Sequence, residues 1–75
     1  MKDDIKKVNE LLDKVDAGIK YELETNSGVY KIFKTNKNRK LVLHTRSCAE
    51  CEKYINQLLD FVETAYFMIT PKYFS

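Results

Sequence analysis

A chain of 75 residues has room for one domain with a small core, which argues against a large enclosed active site. With 44% hydrophobic residues, two glycines and one proline, the composition is that of an ordered globular protein and excludes a disordered one. Its 13 basic and 11 acidic side chains leave a formal charge of +2, which gives little non-specific affinity for nucleic acid.

Membrane and secretory segments are not expected. No apolar run approaches the roughly 20 residues that span a bilayer. The first ten residues mix acidic and basic side chains, unlike a secretory signal. We therefore expect a cytoplasmic protein with no membrane contact, in which the two cysteines are reduced thiols.

The first predicted element is a helix over about residues 4–17. Its apolar residues recur every three or four positions: Ile5, Val8, Leu11, Leu12 and Val15. That spacing puts them on one side of a helix. Asp3 or Asp4 can cap its start, and Gly18 is well placed to end it.

Three strands are predicted next, over about residues 19–25, 29–34 and 41–45. From Ile19 apolar and charged residues alternate, as in a strand with one buried face. Asn26, Ser27 and Gly28 supply a turn between the first two strands. A polar turn over residues 35–40 leads to the third strand, so the three strands should be antiparallel.

A second helix is predicted over about residues 48–67, followed by an aromatic tail over 68–75. Ser47 and Glu50 match a capping box at its start. Its apolar face is Cys51, Tyr54, Ile55, Leu58, Leu59 and Val62. Residues 66–70 could instead form a short edge strand stopped by Pro71; the spacing of Val62, Tyr66 and Ile69 favours the helix.

The predicted order is α-β-β-β-α, a single α+β domain over residues 1–75. Neither helix can bury its apolar stripe alone. The simplest architecture therefore lays both helices on one face of a three-stranded antiparallel sheet. The other sheet face is then open to solvent or to a partner.

Two thiols near the start of the second helix are candidates for chemistry. In the sequence HTRSCAEC, Cys48 and Cys51 lie in the first helical turn, where the helix dipole favours thiolate. Residues 41–59 resemble the active-site segment of the thioredoxin and glutaredoxin family: a hydrophobic strand, a short loop, C-x-x-C and an amphipathic helix. That resemblance implies dithiol-disulfide exchange, with Cys48 attacking and Cys51 resolving.

Two other interpretations of the thiols compete with redox exchange. His44, Cys48 and Cys51 could supply three of the four ligands of a zinc site. Alternatively, Cys51 is a small buried apolar residue, Cys48 a partly exposed helix start and His44 a surface residue of a strand. Because residues 1–40 do not follow the order that precedes C-x-x-C in the thioredoxin family, we favour this last interpretation. It predicts no catalysis, metal or cofactor.

The hairpin of the second and third strands is predicted to be basic. No acidic residue lies between Glu24 and Glu50, whereas Lys31, Lys34, Lys37, Arg39, Lys40 and Arg46 all do. Alternation assigns opposite faces to neighbouring residues. The residues expected to face the helices are Tyr30, Ile32, Leu41 and Leu43. Those expected on the open face are Val29, Lys31, Phe33, Val42 and His44.

Nucleic acid is the alternative partner. The α-β-β-β-α layout is similar to that of the double-stranded RNA-binding domain, which holds phosphates with lysines at the start of its second helix. Here that helix start carries Glu50 and Glu52, which would repel phosphate.

We therefore predict a non-catalytic binding or regulatory protein that contacts another protein, either a host protein or a second copy, as a monomer or homodimer. Phage and mobile-element accessory proteins that inhibit a host protein are a class of this kind. The predicted binding residues, for protein or nucleic acid, are Lys31, Phe33, Lys37, Arg39, Lys40, Val42, His44, Arg46, Phe67, Tyr73 and Phe74.

Overall fold

Two helices enclose a run of three strands in the chain order. The elements are α1 (Lys2–Lys14), β1 (Lys20–Asn26), β2 (Val29–Asn36), β3 (Asn38–Thr45) and α2 (Cys48–Ile69). This computed structural model describes residues 1–69, so the predicted contacts of Tyr73 and Phe74 lie outside the described residues. The predicted α-β-β-β-α order and α+β class are confirmed.

Helix α1 begins and ends earlier than predicted. Its N-cap is Met1, without a side-chain cap, and Asp3 and Asp4 lie inside the first turn. Its end is set by Asp16, whose φ of +55° is left-handed. The Asp16 N–H bonds the Asp13 carbonyl and the Ala17 N–H bonds the Leu12 carbonyl, the pair of bonds that defines a Schellman motif. Asp16, rather than Gly18, therefore stops the helix.

The strands form an antiparallel sheet in the order β1-β2-β3. Ser27 and Gly28 both have positive φ, 52° and 76°, as a two-residue type I′ turn requires. Between β2 and β3 the chain reverses at Lys37, whose φ is +73°. The predicted polar turn over 35–40 is mostly paired strand, because Lys34 pairs with Lys40 and Thr35 with Arg39.

A β-bulge in β3 reverses the predicted orientation of two residues. Ile32 pairs with Leu43 and the next residue, Phe33, pairs with Leu41, which leaves Val42 as the extra residue. Val42 consequently packs against the core. Leu41 lies on the side of its partner Phe33 and is 45% exposed. The prediction that Leu41 faces the helices and Val42 the open face is therefore wrong, since alternation resets at a bulge.

Helix α2 starts with half of the predicted capping box. Ser47 Oγ accepts a hydrogen bond from the Glu50 N–H at 3.1 Å. The reciprocal bond is made by another residue, because the Ser47 N–H donates to Thr45 Oγ1 at 3.1 Å. The helix runs to Ile69, which confirms the helical alternative for the described part of residues 66–70.

Both helices pack on one face of the sheet. Helix α1 contacts β1, α2 contacts β3, and the helices contact each other. Residues from all of these layers are buried together: Ile5, Val8, Tyr21, Ile32, Cys51, Ile55 and Val62. The opposite sheet face carries no helix from the described residues. This arrangement confirms the predicted layers.

Asn9 joins α1 to the outer edge of the sheet. Its Nδ2 donates to the Tyr21 carbonyl and its Oδ1 accepts from the Tyr21 N–H, both at 2.8 Å. The carboxamide thus acts as a peptide group would in a neighbouring strand. Because β1 is an edge strand, these two backbone groups of Tyr21 face away from β2 and need such a partner.

We expect the Asn9→Ala variant to lose about 1–3 kcal/mol of unfolding free energy, because both Tyr21 backbone groups lose their partner. Urea unfolding measures the change. The matched control is Asn56→Ala on the exposed side of α2, expected to change stability by less than about 0.5 kcal/mol. Equal stability of the wild type and the Asn9 variant would contradict this role.

Candidate functional site

The uncovered side of the sheet, here called the open sheet face, is built by cross-strand pairs. Glu22, Phe33 and Leu41 are mutual neighbours in one row, and Glu24, Lys31 and His44 in the next. Directly paired residues point to the same side, opposite to the buried Ile32. The open sheet face therefore comprises Lys20, Glu22, Glu24, Asn26, Val29, Lys31, Phe33, Thr35, Arg39, Leu41 and His44. The predicted orientation of Lys31, Phe33 and His44 is confirmed.

Arg39 covers the aromatic ring in the middle of this face. Its guanidinium carbon lies 3.7 Å from the centroid of the Phe33 ring, a cation–π contact. The same guanidinium contacts the Glu24 carboxylate directly and lies 3.7 Å from Glu22 Oε2. Phe33 is accordingly half-buried, because the Arg39 side chain covers one side of its ring.

The open sheet face carries charges of both signs, with Lys20, Lys31 and Arg39 beside Glu22 and Glu24. The two carboxylates share the guanidinium of Arg39. Each exposed ion pair of this kind contributes about 0.2–1 kcal/mol, enough together to hold Arg39 over the ring. Arg39 is therefore engaged within the chain and is not a free cation for phosphate.

The remaining basic residues do not form one patch with this face. Lys40 pairs with Lys34, on the side of the sheet that carries the helices. Lys37 lies at the tip of the β2-β3 turn, and Arg46 lies in the loop before α2; both are exposed. Among the predicted basic residues, the register brings only Lys31 and Arg39 onto the open sheet face, where His44 also lies.

A small cleft lies at the turn end of the open sheet face. It has a volume of about 300 Å³ and is lined by Glu24, Asn26, Ser27, Val29, Lys31 and His44. Ser27 Oγ donates to Asn26 Oδ1 at 3.2 Å. His44 is paired in the sheet with Lys31 and is not adjacent to this hydroxyl in register. No nucleophile and base are thus brought together here among the described residues.

The two thiols have opposite surroundings. Cys48 is exposed and its Sγ lies 3.9 Å from Glu52 Oε1. A hydrogen bond with Cys48 raises the pKa of the neighbouring Tyr30 hydroxyl. Cys51 is fully buried, and burial, followed by the charges of Cys48 and Glu52, raises the pKa of its thiol. The buried thiol is therefore held protonated.

This geometry favours a structural role for Cys51. Cys51 lies in the core with Ile55 and Val8, where it packs as a small apolar residue. His44 belongs to the open sheet face, on the other side of the sheet from Cys51. Within residues 1–69 no three His, Cys, Asp or Glu side chains are grouped to hold a metal ion. The alternative zinc triad of His44, Cys48 and Cys51 is thus not assembled.

Exposed apolar side chains cluster on the C-terminal half of α2. Phe61 is 71% exposed and Met68 is 75% exposed, and their spacing of seven residues puts them on one side of the helix. Phe67 is 57% exposed, with its ring edge-on to Tyr66 at a centroid distance of 5.9 Å. We call Phe61, Phe67 and Met68 the α2 apolar ridge.

Sequence reasoning found part of this ridge. Phe67 is among the predicted binding residues. Phe61 and Met68 are not among them, although the helix cannot turn these three side chains toward the core while it also buries Leu58 and Val62. Leu41 was missed because of the bulge.

The start of α2 does not resemble a phosphate-binding surface. Glu50 and Glu52 are exposed there, beside the exposed Cys48. Two carboxylates oppose the favourable dipole of the helix N-terminus for any anion. The resemblance to the double-stranded RNA-binding layout is therefore one of element order.

Comparisons with known proteins add no relative. No family model matches the chain, and neither the curated proteins nor the solved structures include a significant match. Within residues 1–69, neither helix has the length and apolar character needed to cross a membrane.

Because Cys48 is exposed and Cys51 is buried, we expect an alkylating reagent to modify only Cys48 in the folded protein. With iodoacetamide at pH 8 we expect a single adduct on Cys48, and a second adduct on Cys51 only after unfolding in urea, because Cys51 is buried and protonated. Peptide mass spectrometry after timed quenching gives both rates. Comparable native rates at the two thiols would contradict the burial of Cys51.

Proposed function

We propose that this chain is a non-catalytic binding protein that acts by contacting another protein through the α2 apolar ridge. The carrying observation is the exposure of Phe61 and Met68, which lie one above the other on the outer side of α2. Large contiguous apolar surfaces on small proteins mark interaction sites more often than chance.

The ridge has the chemistry of a protein contact. Burying a Phe or Met side chain stabilises an interface by about 1.5–3 kcal/mol relative to leaving it in water. Two such anchors on one helix side suit an apolar groove or helix face on the partner. Aromatic side chains and Met are also enriched in the centres of interfaces.

The alternative, nucleic-acid binding, has weaker support. It needs unpaired cations arranged along a backbone, together with exposed aromatic rings for stacking. Here Arg39 is engaged by Glu22 and Glu24, and its guanidinium occupies the Phe33 ring. The remaining cations are spread over two sides of the sheet. We therefore rank protein above nucleic acid as the partner.

The open sheet face could broaden this contact. Leu41 and Phe33 give it an apolar centre, and Lys31 and His44 add polar groups around it. A binding protein without a catalytic group acts on its partner by occupying a surface, which makes an accessory or regulatory role the natural consequence. The partner is either a host protein or a second copy.

Photo-crosslinking tests the ridge directly. A benzoylphenylalanine at position 64 replaces the exposed Thr64, which lies between Phe61 and Met68 on the same side of α2. In cells producing the chain, we expect an adduct with one protein species, identified by mass spectrometry. Phe61→Gln together with Met68→Gln should reduce its yield at least tenfold, because the two apolar anchors are lost.

The matched control carries the same crosslinker and Asn56→Gln, an exposed change on another side of α2, and should keep the adduct. Circular dichroism should show all variants folded, since exposed substitutions rarely exceed about 0.5 kcal/mol. An adduct with nucleic acid, or a protein adduct indifferent to the loss of Phe61 and Met68, would contradict the proposal.

A further inference from the structure

The outer edge of β1 presents backbone groups without a strand partner beside a groove of mixed polarity. In an antiparallel ladder, alternate residues direct their N–H and C=O groups away from the paired strand. The bonds from Asn9 show that Tyr21 is one of these outward residues. Leu23 and Thr25, two and four residues further on, therefore direct theirs outward as well. Because β1 is the edge strand, no strand of the described chain meets them.

Asn9 already shows what this edge binds. Its carboxamide pairs with both backbone groups of Tyr21, as one peptide unit of an added strand would. Because Asn9 occupies the backbone groups of Tyr21, an added strand can pair only with the Leu23–Thr25 stretch. An edge left open over a short stretch is a template for one short extended segment.

The groove beside this edge would receive apolar side chains. It lies between α1 and β1 and has a volume of about 700 Å³. It is lined by the apolar Ile5, Leu12, Ile19 and Leu23 and by the polar Lys2, Lys6, Asn9, Glu10, Asp13, Asp16 and Lys20. It lies on the flank of α1 opposite to Lys7, which reaches toward Glu63 of α2. Every second side chain of an added strand would point to this helix side of the sheet.

On the other side, the two charged residues that flank Leu23 on β1 itself are acidic. Glu22 and Glu24 point to the open sheet face at this edge, whereas Arg39, which contacts both, and Lys31, which pairs with Glu24, belong to strands further from the edge. Opposite charges on neighbouring strands stabilise a pair by about 0.2–1 kcal/mol, and like charges destabilise it. Lysine or arginine at alternate positions of the added strand is thus the complementary pattern.

A second copy of this chain fits the edge poorly. The antiparallel register that uses both Leu23 and Thr25 of each copy would set Glu24 directly against its own counterpart. We therefore propose that the β1 edge is a strand-addition site for an extended segment of another protein, with basic and apolar residues in alternation. This site is separate from the α2 apolar ridge, and the two proposals can be tested independently.

Amide exchange measured by NMR on the full chain tests the proposal. The probe is an end-blocked heptapeptide that alternates lysine with valine. We expect it to slow exchange at the Leu23 and Thr25 amides at least tenfold, while the turn amide of Gly28 keeps its rate. Two control peptides, one with glutamate in place of lysine and one with a central proline, should give no protection.

Two variants locate the effect. Thr25→Pro removes an outward N–H and leaves the bonds to β2 in place, so it should abolish protection of Leu23. Glu22→Gln with Glu24→Gln keeps every backbone group and should weaken peptide binding severalfold, with loss of its salt dependence.

Several outcomes would overturn the proposal. One is the absence of protection by the lysine peptide; another is equal protection by the glutamate peptide. Protection that appears without peptide as the protein concentration rises would assign the edge to a second copy instead. Because none of these measurements involves Phe61 or Met68, their failure would leave the proposed contact through α2 untouched.

Discussion

The fold depends on one packing arrangement: both helices lie on the same face of the three-stranded sheet and contact each other there. Ile32 of the central strand and Ile55 of α2 have no exposed surface, and Val8 of α1 completes the contact between the layers. Filling this single interlayer space uses the inner sides of both helices. The opposite sheet face, the β1 edge and the outer side of α2 are consequently left as surface, and these are the places where a partner can bind.

The three surfaces differ in how far other side chains of the protein cover them. On the open sheet face, Arg39 covers Phe33 and is held by two carboxylates, so that much of the apolar ring is shielded. At the β1 edge, Asn9 closes one position and leaves the next two. On α2, by contrast, Phe61 and Met68 stay more than two-thirds exposed. The shielding of these surfaces from solvent is therefore greatest on the open sheet face and least on the α2 apolar ridge.

Local periodicity was sufficient to predict the elements and their order. The three-to-four spacing of Ile5 and Val8 and the alternation from Ile19 each depend on one segment alone. Features that depend on two segments could not be foreseen. The bulge that exchanges Leu41 and Val42 follows from how β3 pairs with β2, and the left-handed Asp16 depends on where α1 must turn back to the sheet.

For the candidate site too, features that depend on one segment were predicted and features that depend on several strands were not. Alternation correctly oriented Lys31, Phe33 and His44, and the helical stripe correctly placed Cys51 in the core. The contacts of Arg39 required the register of all three strands, so composition alone could not show that one cation of the basic hairpin is held by two carboxylates of β1. Asn9 was overlooked, although a polar residue beside the apolar stripe of α1 indicates that its side chain has a partner.

We propose that the surfaces left by the fold, and not the thiols, carry the function. Native mass spectrometry of the chain isolated from its own cells, under reducing conditions and without added metal, tests this claim most directly. We expect a complex with a protein, either a different chain or a second copy. Its measured mass should equal the sum of the protein masses without zinc. A Cys48→Ser variant should give the same complex. A zinc-bearing chain, a nucleic-acid complex, or loss of the protein complex on replacing Cys48 would contradict it.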